Sequence, residues 1–398
     1  MAEWPLRGIR AGSFCADPNK ALRWSTTLLS QPMKIGIDVH SLGTQSGGNE
    51  TYFRQLVRDL IRDQSSNQYH LFYSHRSALN DFQWDSRFSF SEIPANPVKR
   101  IGVSLPLQLR RTQPDIFHCQ YIKPLFVKMR TVVTIHDLAH EHHPEFFHPL
   151  EALRMKKLVR WTAGHADHIL TVSEFSAADI ARRFGVSREK ITVAYQAAAP
   201  DFRPRDAAQC KEHVAEKFGV RSPFILYVGR IQARKNLPRL VEAYARLRKQ
   251  GIDAKLVMVG KKDWQSEQLL EKIKELNLSA DVIFPGFVPF EDLPLFYNAA
   301  EVFVFPSIFE GFGLPVVESM ASGVATITSF GSSLEEVAGN GALLVDPLDV
   351  GSIADALGKV LGDPGFRREL AGRGLRRSAQ FKAGDMGAKA LAVYQSLA

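Results

Sequence analysis

The chain has 398 residues, 45% of them hydrophobic, with 50 Lys and Arg against 42 Asp and Glu for a formal net charge of +8. That length suits two globular cores of ordinary size, and no uninterrupted apolar run approaches the roughly 18 residues of a membrane-spanning helix. The positive excess suits an anionic nucleotide, an anionic membrane surface or nucleic acid, with nucleic acid last because the chain carries no nucleic-acid-binding module or basic–aromatic repeat.

Residues 1–32 show no clear period and no apolar stretch long enough for a signal peptide, so they are expected to be a disordered N-terminal extension. Glu3 and Asp17 dilute the basic character that a targeting peptide needs. From Met33 strand and helix alternate. MKIGIDVH (33–40) is the first predicted strand, followed by a loop to Asn49 and a helix with Tyr52 or Phe53, Leu56, Leu60 and Ile61 on one side. Further strands are predicted near 69–74, 88–93, 116–120, 132–137, 168–173 and 191–196, with a helix starting at Ser173 or Glu174.

Within this first half, LEALRMKKLVRW (150–161) places Leu150, Leu153, Leu158 and Trp161 on one helical stripe, with Arg154, Lys156, Lys157 and Arg160 mostly elsewhere. Such a helix ordinarily packs its apolar stripe on a sheet; the alternative is contact with an anionic membrane.

Residues 33–197 thus form one predicted domain, and 198–223, rich in proline and polar residues, a linker. The second half repeats the alternation, with strands at 224–229, 255–260, 282–286, 302–307, 325–329 and 342–346, giving a second domain over 224–380. A last helix, 381–398, is a candidate to pack back on the first domain. Strands separated by helices of ten or more residues argue for parallel sheets. The expected fold is α/β, two Rossmann-like domains facing across a cleft. Three widely spaced cysteines, Cys15, Cys119 and Cys210, are odd in number and point to reduced thiols in a cytoplasmic setting.

The most informative segment is VFPSIFEGFGLPVVESMASG (304–323). An apolar run stops at Pro306, a loop carries Glu310, Gly311, Phe312 and Gly313, and Leu314 opens a helix with Pro315 in its first turn, where proline is tolerated. Glycines and a helix N-terminus make a cradle for phosphate. Glu310 and Glu318 cannot bind phosphate, so they would accept hydroxyls of a sugar or ribose. Taken alone the segment also fits ordinary helix capping.

The strand FILYVG (224–229) is followed by Arg230 and Lys235 on one strand-to-helix loop, where open α/β sheets bind ligands. Two fixed cations there suit a diphosphate, although a solvated basic loop has the same composition. The loop SLGTQSGGNE (41–50) lacks the G-x-G-x-x-G fingerprint, which demotes a dehydrogenase.

GRIQARKN (229–236) followed by EGFGLPVVE (310–318) resembles the retaining glycosyltransferases of family 4, with the GT-B fold, and the resemblance runs from about Lys34 to the C-terminus. It implies that Gly47 and Gly48, with Glu50, form the glycine-rich loop facing the donor diphosphate. It also implies that His136 contacts the transferred sugar, that Glu310 holds sugar hydroxyls and that Glu318 holds the nucleotide ribose. Arg230, Lys235 and the N–H groups of Gly311–Leu314 would stabilise the leaving diphosphate. Retention without an evident nucleophile implies front-side attack, with the leaving phosphate taking the acceptor proton.

Neither a cofactor nor a metal is expected. The run His136, His140, His142, His143 and His148 follows no zinc spacing, and enzymes of this fold characteristically neutralise the diphosphate with Arg and Lys. HDL (136–138), PEFF (144–147) and RKN (234–236) resemble bacterial mannosyl- and rhamnosyltransferases of cell-surface polysaccharide assembly, which makes GDP-mannose the first choice of donor. The implied acceptor is a saccharide or lipid-linked saccharide, with the protein cytoplasmic and a candidate for peripheral contact with the inner face of the membrane. A phosphorylase or epimerase using the same cleft, and a non-catalytic nucleotide-sugar-binding protein, stay open.

Overall fold

The computed structural model describes residues 32–44, 47–221, 223–261 and 266–398; the extension expected to be disordered lies, apart from Pro32, outside them. All thirteen predicted strands are present, each within a few residues of its expected bounds. β1 (Lys34–Asp38), β2 (Gln68–Tyr73), β3 (Phe88–Glu92), β4 (Ile116–Gln120), β5 (Arg130–Thr134), β6 (His168–Thr171) and β7 (Ile191–Val193) form a seven-stranded sheet in the order β3-β2-β1-β4-β5-β6-β7. β8 (Phe224–Val228), β9 (Lys255–Val259), β10 (Val282–Ile283), β11 (Val302–Phe305), β12 (Thr326–Ser329) and β13 (Leu343–Val345) form a six-stranded sheet, β10-β9-β8-β11-β12-β13.

Every pairing is parallel; Ile35 on β1, for instance, sits opposite Tyr69 on β2 and Ile116 on β4. Parallel strands are buried on both faces, which is why they read as continuous apolar runs. Phe224–Val228 and Val302–Phe305 are buried at every position.

Strand order reverses between β1 and β4 in the first sheet and between β8 and β11 in the second. These are the switch points at which loops leave in opposite directions and open a crevice beyond the carboxyl ends. One face of the first sheet is covered by the helices Leu105–Thr112, Pro149–His165 and Glu174–Phe184, which share a core with Phe72, Phe117 and Val133. The helix Gly48–Arg62 packs instead with the C-terminal helix Asp385–Leu397. There the Gly387 N–H donates to Asp59 at 3.1 Å, and Tyr394 Oη lies 2.6 Å from His118 Nδ1. Inside the segment 198–223, the helix Ala207–Phe218 packs on Leu293–Ala299, and His213 and Lys217 both pair with Asp292.

The helix Pro149–His165 corrects one expectation. Its buried residues are Ala152, Val159, Thr162 and Ala163, whereas Leu150 and Leu153 are 74% and 51% exposed. The stripe expected to pack on the sheet is rotated away at its N-terminal half, because small side chains at 152 and 163 let the helix approach more closely than leucine would.

Candidate active site

Lys235 and Glu310 come from loops that the backbone ties together. After β8, Gly229 and Arg230 lead into a tight turn at Ala233–Lys235, ended by Asn236 in the left-handed conformation (φ 62°). The Asn236 amide donates to the Pro306 carbonyl at 3.1 Å and also to that of Pro347, and the Ile308 N–H donates to Arg234 O at 2.9 Å. The loop after β8 is therefore laced to the loop after β11, at the switch point.

On that frame the Lys235 ammonium donates to Glu310 Oε1, which also accepts from Ser307 Oγ at 2.6 Å. Lys235 Nζ sits 4.7 Å from the centre of the Phe305 ring. Arg234 Nη1 lies 3.5 Å from Glu310 Oε2 and 3.6 Å from Asp137 Oδ2, which belongs to the first domain.

Burial alone would raise the Glu310 carboxyl, but Arg234 and Lys235 together outweigh it and hold the group below its ordinary value. Burial pulls the Lys235 ammonium down to about 8 in spite of Glu310. Fixed positive charge beside an ionised carboxylate can neutralise a diphosphate and orient hydroxyls in the same few ångströms.

Gly313 caps the Leu314–Ala321 helix at φ 90°, a region that favours glycine, and a Cβ there would strike Leu334 Cδ2. In the first turn of that helix Pro315 carries no N–H and the Val316 N–H donates to Gly313 O at 2.9 Å, which leaves the N–H groups from Gly311 to Leu314 as the candidate donors to an anion. Leu314 is half-buried at its first position. The side chain of Phe312 turns into the protein, with its ring 5.6 Å from Phe381 and 6.2 Å from Tyr195, so this residue offers the site its backbone alone. Glu318 is 8% exposed and accepts from Tyr297 Oη at 2.9 Å. Its burial pushes the carboxyl up to about 7.

The first domain faces these groups with the loops after β1, β4 and β5. His136 is 7% exposed, and its Nε2 accepts from the Gln120 amide at 2.9 Å, which leaves the proton of the neutral ring on Nδ1. The ring packs edge-on to Tyr52 at 4.8 Å, and burial lowers its pKa to about 4, so it is neutral at physiological pH.

Gly47 has φ 69°, and a Cβ on it would meet Arg230 Cδ at 3.7 Å; the glycine loop and the first cation thus confront each other across the cleft. Gly48 opens the 48–62 helix with nothing within 4 Å of a Cβ. Glu50 turns back into its own domain, accepting from Gly43 N and Arg54, both at 3.0 Å. Gly311 and His136 meet backbone to backbone, since a Cβ on Gly311 would strike the His136 carbonyl, and Ser173 Oγ donates to Gly311 O at 2.7 Å.

Two of the other histidines have separate partners. His142 bonds Asp179 at 2.7 Å and stacks on Phe309, and His143 bonds Glu145 at 3.0 Å. Among the described residues no three His, Cys, Asp or Glu side chains are grouped to hold a metal ion.

Arg234, Asp137, Asn236, Ser307 and Tyr297 were not singled out from the sequence. The first two adjoin predicted site residues, and adjacency was the available signal; Ser307 lies three residues before Glu310, and Tyr297 meets Glu318 across 21 residues, which no local pattern reveals.

Two family models match. The one described as Glycosyltransferase Family 4 covers residues 46–202, and the one described as Glycosyl transferases group 1 covers 209–377. The O-antigen chain mannosyltransferase B of Escherichia coli is 35% identical over 255 residues, 63% of this chain and 66% of that protein. The serotype-specific mannosyltransferase WbdA of Escherichia coli is 33% identical over 264 residues, 64% of this chain and 32% of its own length. The match thus spans just under two thirds of the first relative and a third of the second.

Among solved structures, sucrose-phosphate synthase from Thermosynechococcus elongatus superposes with a TM-score of 0.74 at 22% identity, covering 92% of this chain and 99% of that one. At that identity the likeness establishes the fold. With one model on each half of the chain and two parallel sheets, the chain belongs to the family 4, group 1 glycosyltransferases of the GT-B fold.

Proposed function

We propose that the protein is a retaining hexosyltransferase that moves a sugar, mannose in the first instance, from a nucleoside diphosphate sugar, GDP-mannose, to a saccharide or lipid-linked saccharide. The observation that carries this is the convergence at one switch point of Arg230, Lys235 and the Leu314 helix N-terminus with the carboxylates of Glu310 and Glu318, opposite a neutral His136. The mannosyl choice draws on the mannosyltransferase relatives.

In the reaction, the bond from the anomeric carbon to the phosphate oxygen breaks as the acceptor hydroxyl attacks from the same face. The acceptor proton passes to the leaving phosphate oxygen, whose new charge meets Arg230, Lys235 and the helix N–H groups, already in place. Glu310 fixes the sugar by its hydroxyls, Glu318 the ribose, and His136 the sugar from the opposite wall. Charge neutralisation is assigned to Arg230 and Lys235, without a cofactor or metal.

The reading includes a cytoplasmic place, supported by the free, buried thiols of Cys119 and Cys210, and peripheral contact with the membrane. Among the described residues no helix is long and apolar enough to cross a membrane. Support for surface contact is the set of exposed apolar residues in the first domain: Val103 at 59% and Leu107 at 48%, Phe126 at 90%, Leu150 at 74% and Leu153 at 51%. The segments that carry them, 97–112, 121–130 and 149–161, contain Glu151 as their one acid and hold more than the chain's whole positive excess of +8. Exposed apolar side chains on lysine- and arginine-rich segments suit an anionic lipid surface.

The test is release of nucleoside diphosphate from a panel of sugar nucleotides, with the anomeric configuration of the product read by NMR. GDP-mannose turnover with retention supports the reading. Release that requires inorganic phosphate points to a phosphorylase, and an isomerised nucleotide sugar to an epimerase. Binding with neither overturns the enzyme reading.

A further inference from the structure

Arg234 joins two carboxylates that face each other across the cleft. Asp137 follows β5 of the first domain, with Oδ2 at 3.6 Å from Arg234 Nη1, and its other oxygen accepts from the Ala139 N–H at 3.0 Å, which fixes it from its own side. Glu310 follows β11, with Oε2 at 3.5 Å from the same nitrogen. That nitrogen also donates to Phe309 O at 3.3 Å.

The two oxygens of Glu310 are therefore divided. Oε1 is held by Lys235 and Ser307, all within the second domain, while Oε2 faces the cation that also meets the first domain. Without Arg234, Asp137 and Glu310 would be like charges on opposing walls, which disfavours closing the cleft.

We propose that Arg234 is a positioning residue of the transfer site, clamping Asp137 of one domain to Glu310 of the other so that closure sets the carboxylate that holds the sugar. This rests on the reading that Glu310 binds the transferred sugar. All three contacts are made by Nη1, so a lysine at 234 would preserve the charge but not the planar guanidinium that sets the direction of that nitrogen.

The groups facing Arg234 are Glu310, Asp137, Tyr121 and Tyr227, with Lys235 beside it. Burial holds both tyrosines well above their ordinary values and so uncharged. Of the charges acting on Glu310, Arg234 lowers it most, ahead of Lys235, and it also pushes Lys235 down. Removing it raises both groups, so an activity window bounded by an ionised Glu310 and a charged Lys235 moves bodily to the alkaline side.

The experiment follows GDP release from GDP-mannose by the full chain against pH for wild type, Arg234→Gln, Arg234→Lys, Asp137→Asn and Glu310→Gln. Arg234→Gln is expected to lose turnover at least tenfold, as an oxyanion-scale positioning loss, with both limbs displaced to higher pH. Arg234→Lys keeps the limbs in place, and Asp137→Asn raises KM, leaves the acid limb in place and moves the alkaline limb to lower pH, because Asp137 also raises Lys235. Limbs unmoved in Arg234→Gln overturn the proposal.

Wild-type turnover in Glu310→Gln would instead sink the sugar-binding reading beneath it. Melting temperature against pH gives a second readout that needs no donor. Glu310, depressed when folded, stabilises above its unfolded value and loses that contribution as pH falls through its folded one. In Arg234→Gln the folded value lies closer to the unfolded one, so the acid loss must be smaller and be complete at higher pH; an unchanged acid limb also contradicts the proposal.

Discussion

Lys235 and Glu310 form an ion pair with both side chains buried, 9% and 8% exposed, in the wall of the cleft. Burying such a pair is weak evidence for stability, because the lost hydration of two ions offsets much of their attraction. Its position at the switch point, against Phe305 and Ser307, suits a site that must present charge without rearranging.

Removing Lys235 leaves a buried carboxylate short of its nearest cation. Lys235→Met is expected to cost about 3–5 kcal/mol of stability and about 10²–10³ in turnover, and the double variant Lys235→Met, Glu310→Gln to recover part of the stability and none of the activity. Thermal denaturation and kcat for the three proteins check this. The pH dependence has opposite signs for the two properties. With Lys235 at about 8 folded against 10.5 as a free group, the unfolded chain binds more protons between those values, so stability rises with pH there. Turnover falls through about 8 as the ammonium is lost.

Glu318 has its carboxyl raised from 4.5 to about 7 by burial, so stability falls as pH climbs through that interval and the folded protein gives up the bound proton. Glu318→Gln is expected to melt higher than wild type above about pH 7 and equally below 4.5, while losing affinity for GDP. A calorimetric pH series on both proteins, with and without GDP, measures the two effects.

Gly311→Ala places a methyl group against the His136 carbonyl of the opposite domain. Each sheet keeps its core, so the variant is expected to fold with near-normal circular dichroism while the cleft is wedged open. A raised KM and an enlarged radius of gyration in small-angle scattering are the outcomes to look for; an unchanged KM would contradict this placement of the domains.

For the surface around Phe126 and Leu150, flotation with phosphatidylglycerol vesicles should exceed flotation with phosphatidylcholine vesicles and should weaken as salt is raised. The double variant Phe126→Glu, Leu150→Glu should stay with the soluble fraction and keep its melting temperature, both side chains being exposed.

The strands were legible because parallel strands buried on both faces are written as unbroken apolar runs, as in Phe224–Val228. The Leu314–Ala321 helix was legible to the residue, since Gly313 and Pro315 mark its start and Gly323 follows its end. The helix Pro149–His165 was not. Its strongest apolar stripe and its packing face differ, and only the shape of the sheet decides between Leu153 and Ala152. Glu310 and Lys235 stood out as charged residues on glycine-bearing loops, whereas Tyr297 meets Glu318 through tertiary packing between residues 21 apart. The role of Asp137 depends on Arg234, far along the chain, and periodicity carries no information about such a pair.

The most direct test of the donor site is a thermal-shift series with GDP, UDP, ADP, dTDP and their sugar conjugates on wild type, Lys235→Ala and Glu318→Ala. A ligand at 100 times its dissociation constant stabilises by about 2.7 kcal/mol. The account predicts a shift with GDP and GDP-mannose that shrinks in both variants. No shift with any nucleotide, or a shift that both variants keep in full, would contradict the assignment of Lys235 and Glu318 to the donor.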